Sequence, residues 1–390
     1  MKPYKVIRDP IHGDIGLSEL EVLLCDTGDM QRLRRVKQNG LCYLVYPSMN
    51  STRFEHSLGV MNLGGVACAH LELNERQTKL LRAACLLHDI GHTPLSHTTE
   101  KIFASYGVDH EKLSTEKIGM PEIKKLLEAE DINPGEVGEI ILGRGLLGSI
   151  LSSAVDVDKM DYLVRDAYYA GVAYGVTDVE RVLKTLRVGE NEIIVGEGGL
   201  SACESLLVNR NLMYQAVYRH HTKRIAEAMF CRALRKIIES GEDYQRICAM
   251  DDYELISLMR SQKGFPKKIM SMLDNRILYK KVFSKKILSY TEKQRKNITL
   301  NTGEIEEKLA NKLGLEEDCL LLDYPEIRMS EYKVKIMDQG ELKPIDEASS
   351  LARTLEENEL EKHTIDVYVC QDKANNVRRR FSEAFKAYIT

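Results

Sequence analysis

Hydrophobic residues recur at helical spacing through most of the first 275 residues. In residues 15–38 a polar turn, Asp26–Asp29, interrupts the apolar pattern, which predicts two short helices joined by a capped turn. Further helices are predicted at 57–73, at 76–92, at 112–130, at 133–186 with Gly and Pro interruptions, and as one long helix at 204–240.

The pattern changes in two places. Residues 191–202 combine an alternating residue pattern with a glycine-rich turn, which predicts a small β-hairpin. Beyond residue 275, segments with strand character are separated by charged helices and turns; they lie at 280–290, 319–327, 332–337 and 363–370. The sequence therefore predicts a mainly α protein, with a helical domain at 1–275 and a smaller α+β C-terminal region at 276–390.

Composition narrows the class of protein. With 390 residues and 43% hydrophobic content, the chain can bury a large core without disulfide or metal staples. The formal charge of −4, from 55 basic and 59 acidic residues, shows no global preference for nucleic acid or an anionic membrane. The sequence lacks a run of 18 apolar residues and a signal-peptide core, so we expect a cytoplasmic location and no membrane partner.

Nine cysteines are scattered along the chain without a CxxC pair. Their odd number and wide spacing are typical of reduced, mostly buried thiols, rather than of a disulfide framework or a zinc knuckle. We therefore expect them to be structural.

Histidines are concentrated near the N-terminus, where seven of the ten lie in the first 110 residues. A lone histidine on an apolar helix face is usually a core residue. His88 differs, because Asp89 follows it directly at the end of an apolar helix and a buried carboxylate is costly without a cation. A divalent metal would supply that cation, and His56 and Asp158, on other apolar helices, are candidates for further ligands.

Six motifs then follow one another in a fixed order: DPIHG (9–13), QRLRRVKQNG (31–40), RFEHSLGV (53–60), LLHDIGHTPLSH (86–97), DVDKMDYLVRD (156–166) and YRHHTKR (218–224). Together they resemble the HD-domain deoxynucleoside triphosphate triphosphohydrolases related to the SAM-and-HD-domain protein. The resemblance covers residues 5 to about 235 and fades beyond residue 275, and no SAM domain is expected in this chain.

The resemblance implies an HD-domain helical core and a metal-dependent reaction. In that family, attack on the α-phosphorus of a dNTP releases a deoxynucleoside and inorganic triphosphate. The metal ligands that it implies are His56, His88, Asp89 and Asp158. Such a site accepts Fe, Mn, Zn, Co, Ni or Mg, and the resemblance leaves room for a second Mg ion beside the first.

Roles for further residues are implied in the same way. His97 is expected to protonate the leaving 5′ oxygen, with Glu100 orienting its imidazole from the same helix face, and with His92 and His110 near the phosphates. The residues expected to bind the substrate are Arg53, Lys159, Tyr162 and Arg210 for the phosphates, and Gln38, Asp166 and Tyr218 for the sugar. Asn39 departs from the family, whose members commonly have an apolar residue there, and a polar side chain at this position would favour admission of ribonucleotides.

Regulation and assembly are also implied by the resemblance. Some relatives are activated by a guanine nucleotide that bridges subunits, and the residues matching that site are Asp26, Gln31, Arg34, Val45 and Tyr46. We expect GTP or dGTP as the activator and a homo-oligomer, either a dimer or a tetramer. Arg8 replaces an Asn that other relatives use for a second activator, which weakens the expectation of a two-nucleotide switch.

Two alternatives stay open at the level of sequence. The first is an HD phosphatase or phosphodiesterase acting on a nucleoside monophosphate or a cyclic nucleotide, although the cations Arg53, Lys159 and Arg210 suit a triphosphate better. The second is a non-catalytic nucleotide sensor or a nucleic-acid-binding protein, against which the intact ligand set counts. His12 in DPIHG is expected to close a turn rather than to bind metal.

Overall fold

The computed structural model describes residues 3–325 and 334–386. Helices dominate the described chain and the sheets are small, which confirms the predicted mainly α class. The chain forms two compact units: the first comprises Met1–Tyr218, Tyr244–Leu255 and Ser330–Arg353, and the second comprises Arg219–Asp243, Ile256–Met329 and Thr354–Thr390. The domain boundary at residue 275 stays a prediction.

The α-helices, in chain order, are α1 (Glu19–Cys25), α2 (Gly28–Arg32), α3 (Arg53–His70), α4 (Glu75–Leu87), α5 (His97–Phe103), α6 (His110–Ile118), α7 (Pro121–Glu128), α8 (Pro134–Ile141), α9 (Gly145–Leu151), α10 (Val157–Ala170), α11 (Val179–Thr185), α12 (Leu200–Met213), α13 (His221–Glu239), α14 (Tyr244–Ala249), α15 (Asp252–Ser261), α16 (Phe265–Asp274), α17 (Glu292–Leu300), α18 (Thr302–Leu313), α19 (Ile345–Ala348), α20 (Ser350–Glu357) and α21 (Ala374–Lys386). The strands are β1 (Lys5–Asp9), β2 (Gly13–Leu17), β3 (Leu186–Val188), β4 (Ile193–Val195), β5 (Lys280–Lys286), β6 (Leu320–Asp323), β7 (Lys335–Asp338), β8 (Glu341–Pro344) and β9 (Thr364–Val369).

Helix α3 packs against both α4 and α10 in the first unit. Two glycines of α3 permit the close approach of its neighbours. A Cβ on Gly64 would lie 2.8 Å from the sulfur of Cys85 in α4, and one on Gly59 would lie 1.9 Å from a carboxylate oxygen of Asp161 in α10. Since real Cβ atoms do not come this near, small residues here set the spacing of three helices.

Local sequence signals explain where α4 and α10 begin. Asn74 and Gln77 form a capping box at the start of α4, and the Asp156 carboxylate accepts the Lys159 N–H at the start of α10. Helix α10 ends at Gly171, which has a positive φ of 67°. These caps fix the helix ends from which several predicted site residues project.

Two small sheets belong to the first unit. Strands β1 and β2 form an N-terminal antiparallel hairpin that the hydrophobic pattern did not reveal. The other sheet has the order β3-β4-β7-β8, with β4 antiparallel to β3 and parallel to β7. The hairpin expected at 191–202 therefore lies earlier, at 186–195, because residues 200–202 already belong to α12.

The long helix predicted at 204–240 is wrong as one continuous element. Helix α12 passes into a π-helical turn at Tyr214–Tyr218, and α13 begins at His221 after an irregular His220. The apolar pattern continues across this break, so periodicity alone does not reveal it. A π turn commonly marks a position at which a side chain serves a site.

The second unit contains an antiparallel sheet of order β5-β9-β6. Helices α18 and α21 pack against its strands, and the side chains of Ile365 and Val367 in the central strand are fully buried. The segments predicted as strands at 280–290, 319–327 and 363–370 correspond to β5, β6 and β9. The segment at 332–337 corresponds to β7, in the first unit; residues 326–327 and 332–333 lie outside the described residues.

One cysteine pair departs from the sequence expectation. Cys319 and Cys370 form a disulfide within the second unit, where the Cys370 N–H donates to the Cys319 carbonyl at 3.0 Å. The expectation of reduced thiols was wrong for this pair, since β6 and β9 bring together two residues separated by 51 positions. The other seven cysteines are not disulfide-bonded, as expected. Among the described residues, no helix combines the length and apolar character needed to cross a membrane.

Candidate metal and nucleotide site

His56, in the first turns of α3, is held in one orientation by a buried carboxylate. Its Nδ1 lies 2.7 Å from an oxygen of Asp161, which fixes the ring and turns Nε2 toward Asp158. Arg165 donates to both oxygens of Asp161, at 2.9 and 3.0 Å, and His12 Nε2 lies 2.6 Å from one of them. Burial by itself would raise the pKa of Asp161, but Arg165 and the two histidines hold it well below its usual range.

His88 and Asp158 meet His56 from two other helices. His88 follows the last turn of α4, and its Nδ1 donates to the Cys85 carbonyl at 2.8 Å, which leaves Nε2 for the site. Asp158 Oδ1 lies 2.9 Å from His56 Nε2 and 3.8 Å from His88 Nε2. All three ligand atoms lie within 4.8 Å of one another. Imidazole lone pairs and a carboxylate in this arrangement suit a divalent cation.

Asp89 lies at the edge of this ligand group. Its Oδ1 is 3.3 Å from His88 Nε2, and its Oδ2 is 3.7 Å from His56 Nε2 and accepts from Arg53 Nη1 at 2.6 Å. Burial would raise the pKa of Asp89, yet Arg53 and the neighbouring histidines hold it well below its usual range. The carboxylate is therefore charged beside His56, His88 and Asp158, and its role as a fourth ligand stays a prediction.

Glu100 joins two histidines next to the ligand group. One of its oxygens lies 2.7 Å from His97 Nδ1 and the other accepts from His110 Nδ1. The His92 ring stacks on the His110 ring with centroids 4.1 Å apart, and His92 Nε2 is 3.2 Å from Asp89 Oδ1. The structure thus brings the predicted catalytic residues together beside the ligands, with His97 and His110 on Glu100 and His92 stacked on His110.

The two histidines on Glu100 have opposite pKa shifts. Burial lowers the pKa of His110, but its hydrogen bond to Glu100 outweighs this effect and raises the pKa above the ordinary value. Burial and the charge of Arg53 lower the pKa of His97 despite the same carboxylate. Arg53 Nη2 is 3.2 Å from His97 Nε2, whose side chain is 54% exposed. The free protein therefore has a neutral, accessible His97 near pH 7, whereas His110 holds its proton more tightly than an ordinary histidine.

The predicted sugar-binding residues include a second buried carboxylate. Asp166 accepts from Tyr218 Oη at 2.8 Å and from Asn39 Nδ2 at 2.9 Å. Burial raises the pKa of Asp166 to about 6, against the effect of these two donors. Gln38 is buried and its side-chain carbonyl accepts no hydrogen bond from the described residues. Asn39, the departure from the family, is thus bonded to Asp166.

The predicted phosphate-binding residues lie on α3, α10 and α12. The Tyr162 ring centroid is 6.5 Å from that of His56 and 6.1 Å from that of Tyr218, which places it between the metal ligands and the sugar-binding residues. Lys159 Nζ donates to Asp156 at 2.8 Å, and the buried Arg210 stacks over Tyr214 at 4.5 Å. The charge of Arg210 acts on the Lys159 ammonium, so the two cations are close neighbours.

Of the five residues of the predicted guanine site, the structure brings Gln31 and Arg34 into contact. Arg34 Nε donates to Gln31 Oε1 at 3.0 Å, and the Arg34 guanidinium lies over the Phe54 ring. Tyr46 Oη donates to the Ala216 carbonyl at 2.7 Å. Asp26 is the exposed residue at the end of α1, and Val45 follows a short 3-10 turn. A guanine site here stays a prediction.

Sequence reasoning missed the residues that support His56. Asp161 stood among four aspartates at 156–166 without an assigned role, although Arg165 four residues later gives the spacing of a helical ion pair. Arg165 also binds Asp9 Oδ2 at 2.8 Å, and Asp9 Oδ1 accepts the His12 N–H at 2.9 Å. His12 therefore closes its turn, as expected, and its side chain additionally contacts Asp161.

A helical core that brings two histidines and two aspartates together in this way defines the class of HD-domain phosphohydrolases. The chain belongs to this family: an HD domain matches residues 53–166, and an HD associated region matches residues 177–389. The family includes the deoxynucleoside triphosphate triphosphohydrolases related to the SAM-and-HD-domain protein, which confirms the resemblance noted in the sequence.

Similar proteins span several organisms. The chain is 37% identical to the uncharacterised protein MJ1154 of Methanocaldococcus jannaschii, over 98% of this chain and 84% of that protein. It is 31% identical to the deoxynucleoside triphosphate triphosphohydrolase SAMHD1 homolog of Dictyostelium discoideum, over 75% of this chain and 62% of that protein. A crystal structure of a hypothetical protein from Aquifex aeolicus has a TM-score of 0.80 and 31% identity, covering 97% of this chain and 99% of that one.

Proposed function

We propose that the protein is a metal-dependent dNTP triphosphohydrolase that releases a deoxynucleoside and inorganic triphosphate. The observation that carries this proposal is the position of Arg53, whose guanidinium contacts both the ligand Asp89 and the accessible His97. A cation at that point suits a phosphate that lies between the metal ligands and a proton donor. Lys159 and Arg210 add positive charge on the side of α10 and α12, which favours a triphosphate over a single phosphate.

A divalent ion held by His56, His88, Asp89 and Asp158 would supply a Lewis acid and activate water at neutral pH. The protein's own contribution begins with orientation, because Asp161 fixes the His56 tautomer and the Cys85 carbonyl fixes that of His88. Nitrogen and oxygen ligands suit Fe, Mn, Zn, Co or Ni, and a second Mg ion would accompany the triphosphate.

His97 is the proposed acid for the leaving 5′ oxygen. In the free protein, burial and the charge of Arg53 keep its pKa below the ordinary value. A bound triphosphate would offset that charge and raise the His97 pKa, so protonation would follow substrate binding. Glu100 accepts the Nδ1 proton, which directs Nε2 toward the substrate side, and the raised pKa of His110 favours a positive charge there for the phosphates.

Selection of the sugar is proposed for Gln38, Asp166 and Tyr218. The Asp166 carboxylate would accept from a sugar hydroxyl, and the Tyr218 ring would limit the space near C2′. Asn39 donates one amide N–H to Asp166, which holds its side chain at that carboxylate. On this basis we propose a preference for dNTPs over NTPs.

We further propose that GTP or dGTP activates the enzyme at Asp26, Gln31 and Arg34, near Val45 and Tyr46. The hydrogen bond between Gln31 and Arg34 supports this assignment, because an amide edge and a guanidinium side by side suit a guanine base and its phosphate. A cytoplasmic location and a homo-oligomer, dimer or tetramer, belong to the same proposal.

Product analysis tests the reaction. Protein loaded with Mn or Fe is incubated with each dNTP and NTP, with and without GTP, and nucleoside, triphosphate, diphosphate and phosphate are separated. We expect deoxynucleoside and triphosphate, with His97→Ala slowed by at least about a hundredfold while it still binds the metal. Glu116→Gln, an exposed change on α6, serves as the matched control.

Other products would overturn the proposal. Diphosphate or phosphate as the first product would indicate an HD phosphatase or phosphodiesterase instead. Nucleotide binding without turnover in any metal would indicate a sensor, and binding to nucleic acid that weakens steeply with salt would indicate a nucleic-acid-binding protein.

A further inference from the structure

His97 follows a backbone bend that is unusual for its residues. Leu95 and Ser96 have φ values of 59° and 50°, although neither is glycine, and both are fully buried. Such conformations are strained and persist only where neighbouring groups fix them. The groups that fix this bend therefore determine where His97 lies.

One of these groups is a carboxylate from a distant part of the chain. Asp252, at the start of α15, accepts the Leu95 N–H through Oδ1 at 2.6 Å. Its other oxygen, Oδ2, accepts the Lys37 N–H at 2.9 Å, one residue before Gln38. Asp252 is 2% exposed, so its carboxylate serves these two amides and stays shielded from solvent.

Neighbouring contacts reinforce the same connection. Ser96 Oγ donates to the Lys37 carbonyl at 2.7 Å and accepts from Arg53 Nε at 3.0 Å. The buried Arg32 donates to the carbonyls of Met250 and His92, at 2.8 and 2.6 Å. Met250 and Asp252 thus join the segment that precedes Gln38 to the loop that precedes His97.

We propose that Asp252 is a positioning residue of the active site, whose carboxylate sets the placement of His97 relative to the sugar-binding segment that begins at Gln38. The inference rests on the proposed function for its catalytic consequence. Because the two oxygens hold two different segments, loss of either bond moves one side of the site relative to the other. A displacement of about 1 Å can cost about a hundredfold in rate.

The test replaces Asp252 by asparagine and compares this variant with Asp251→Asn. The asparagine side chain has the same size as the native one but only one acceptor oxygen, and its NH2 group opposes the second amide. Asp251 is the matched control, since it is also buried in the same turn but accepts from Arg35 and from the Glu254 N–H. Burial raises the pKa of Asp252 to about 6, so assays at pH about 7.5 keep the native carboxylate ionised.

Hydrogen exchange is measured on both variants and on the native protein, together with kcat, KM and metal content. We expect native protection at the Leu95 and Lys37 amides, although both lie outside regular helices. Asp252→Asn should lose protection at one of the two amides by at least about tenfold and lower kcat by about ten- to a hundredfold, with metal content unchanged. Asp251→Asn should keep kcat within about twofold.

Several results would overturn the inference. These are unprotected Leu95 or Lys37 amides in the native protein, native exchange and kcat in Asp252→Asn, or equal losses in both variants. If Asp252→Asn fails to fold, protection in the native protein decides the question. If the native protein hydrolyses no nucleotide, the proposed function fails, while the exchange comparison still shows whether Asp252 holds both segments.

Discussion

At the scale of single residues, the buried carboxylates of the site differ in what compensates their burial. Asp89 and Asp161 each contact an arginine, and their pKa values lie well below the usual range. Asp166 has only neutral donors, Asn39 and Tyr218, and its pKa is raised to about 6. The carboxylates of Asp89 and Asp161, beside the predicted metal ligands, therefore stay ionised, whereas the charge of Asp166, on the sugar side, changes with pH.

The raised pKa of Asp166 predicts an acidic limb in the rate profile. As the pH falls below about 6, Asp166 gains a proton and loses its capacity to accept from a sugar hydroxyl, so kcat/KM should fall. Asn39→Ala removes a donor that favours the carboxylate, and should therefore move this limb to higher pH. Profiles of kcat/KM from about pH 5 to about pH 8 measure the shift.

Tyr218→Phe removes the other donor and should shift the limb in the same direction. Opposite shifts, or a limb unchanged in both variants, would show that another group controls the acidic side. The same raised pKa determines how Asp166 affects stability, because the native state binds this proton more tightly than the unfolded chain does. The contribution of Asp166 to the free energy of unfolding is therefore favourable at low pH and is lost as the pH rises from about 4 to about 6.

Glu100 predicts the protonation state of its two histidines. Its carboxylate raises the pKa of His110, and Glu100→Gln removes the charge while it keeps the side-chain shape. The His110 pKa should then fall below its ordinary value, because burial remains. Titration of the imidazole signals by NMR measures this pKa, and an unchanged His110 value would contradict the assignment. The same variant should slow turnover at least about tenfold.

At the scale of elements, the approach of α10 to α3 depends on Gly59. A Cβ there would lie 1.9 Å from Asp161 and 2.5 Å from Arg165, both buried and charged. We predict that Gly59→Ala lowers the free energy of unfolding by about 3 kcal/mol and weakens metal binding, since Asp161 orients His56. Denaturant unfolding and metal titration measure the two effects.

Gly28→Ala is the matched control, because a Cβ at this exposed position meets nothing within 4 Å. Its stability should change by less than about 0.5 kcal/mol, with metal affinity unaltered. Equal effects of the two substitutions would rule out the steric explanation.

Helix periodicity predicted most elements but could not locate their interruptions. The apolar pattern at 204–240 is continuous, and the break between α12 and α13 depends on tertiary contacts of the π turn around Tyr218. The hydrophobic pattern did not predict the hairpin of β1 and β2, because short strands give only a weak periodic signal in the sequence. The site was predicted better, since most of its residues lie in contiguous motifs on α3, α4 and α10.

At the scale of the whole molecule, residues brought together from distant segments were beyond sequence reasoning. The sequence around Asp252 contains no motif that indicates its partners, and these partners, Leu95 and Lys37, lie 157 and 215 positions away. Cys319 and Cys370 gave no signal for the same reason. The four predicted metal ligands come from three separate segments, around His56, His88–Asp89 and Asp158, and it was the family resemblance that grouped them.

The disulfide predicts a change in stability limited to the second unit. Closing a loop of 51 positions lowers the entropy of the unfolded chain and stabilises the fold by about 4 kcal/mol in the chain-entropy treatment. The double change Cys319→Ser and Cys370→Ser should lower unfolding stability in that range and leave metal content unaltered, as should a reductant. Calorimetry with metal analysis measures both, and concurrent loss of metal would contradict the prediction.

The order in which the chain is made has a consequence for how the first unit forms. Val195 of β4 pairs with Ile336 of β7, and the Ser349 hydroxyl donates to Glu204 of α12, so segments made late complete elements made early. At about 5–20 residues per second, a ribosome needs roughly 10–30 seconds to pass from β4 to residue 353. During that interval the edge of β4 that later pairs with β7 has no partner strand. An unpaired strand edge favours aggregation, so the nascent chain depends most on chaperones at this stage.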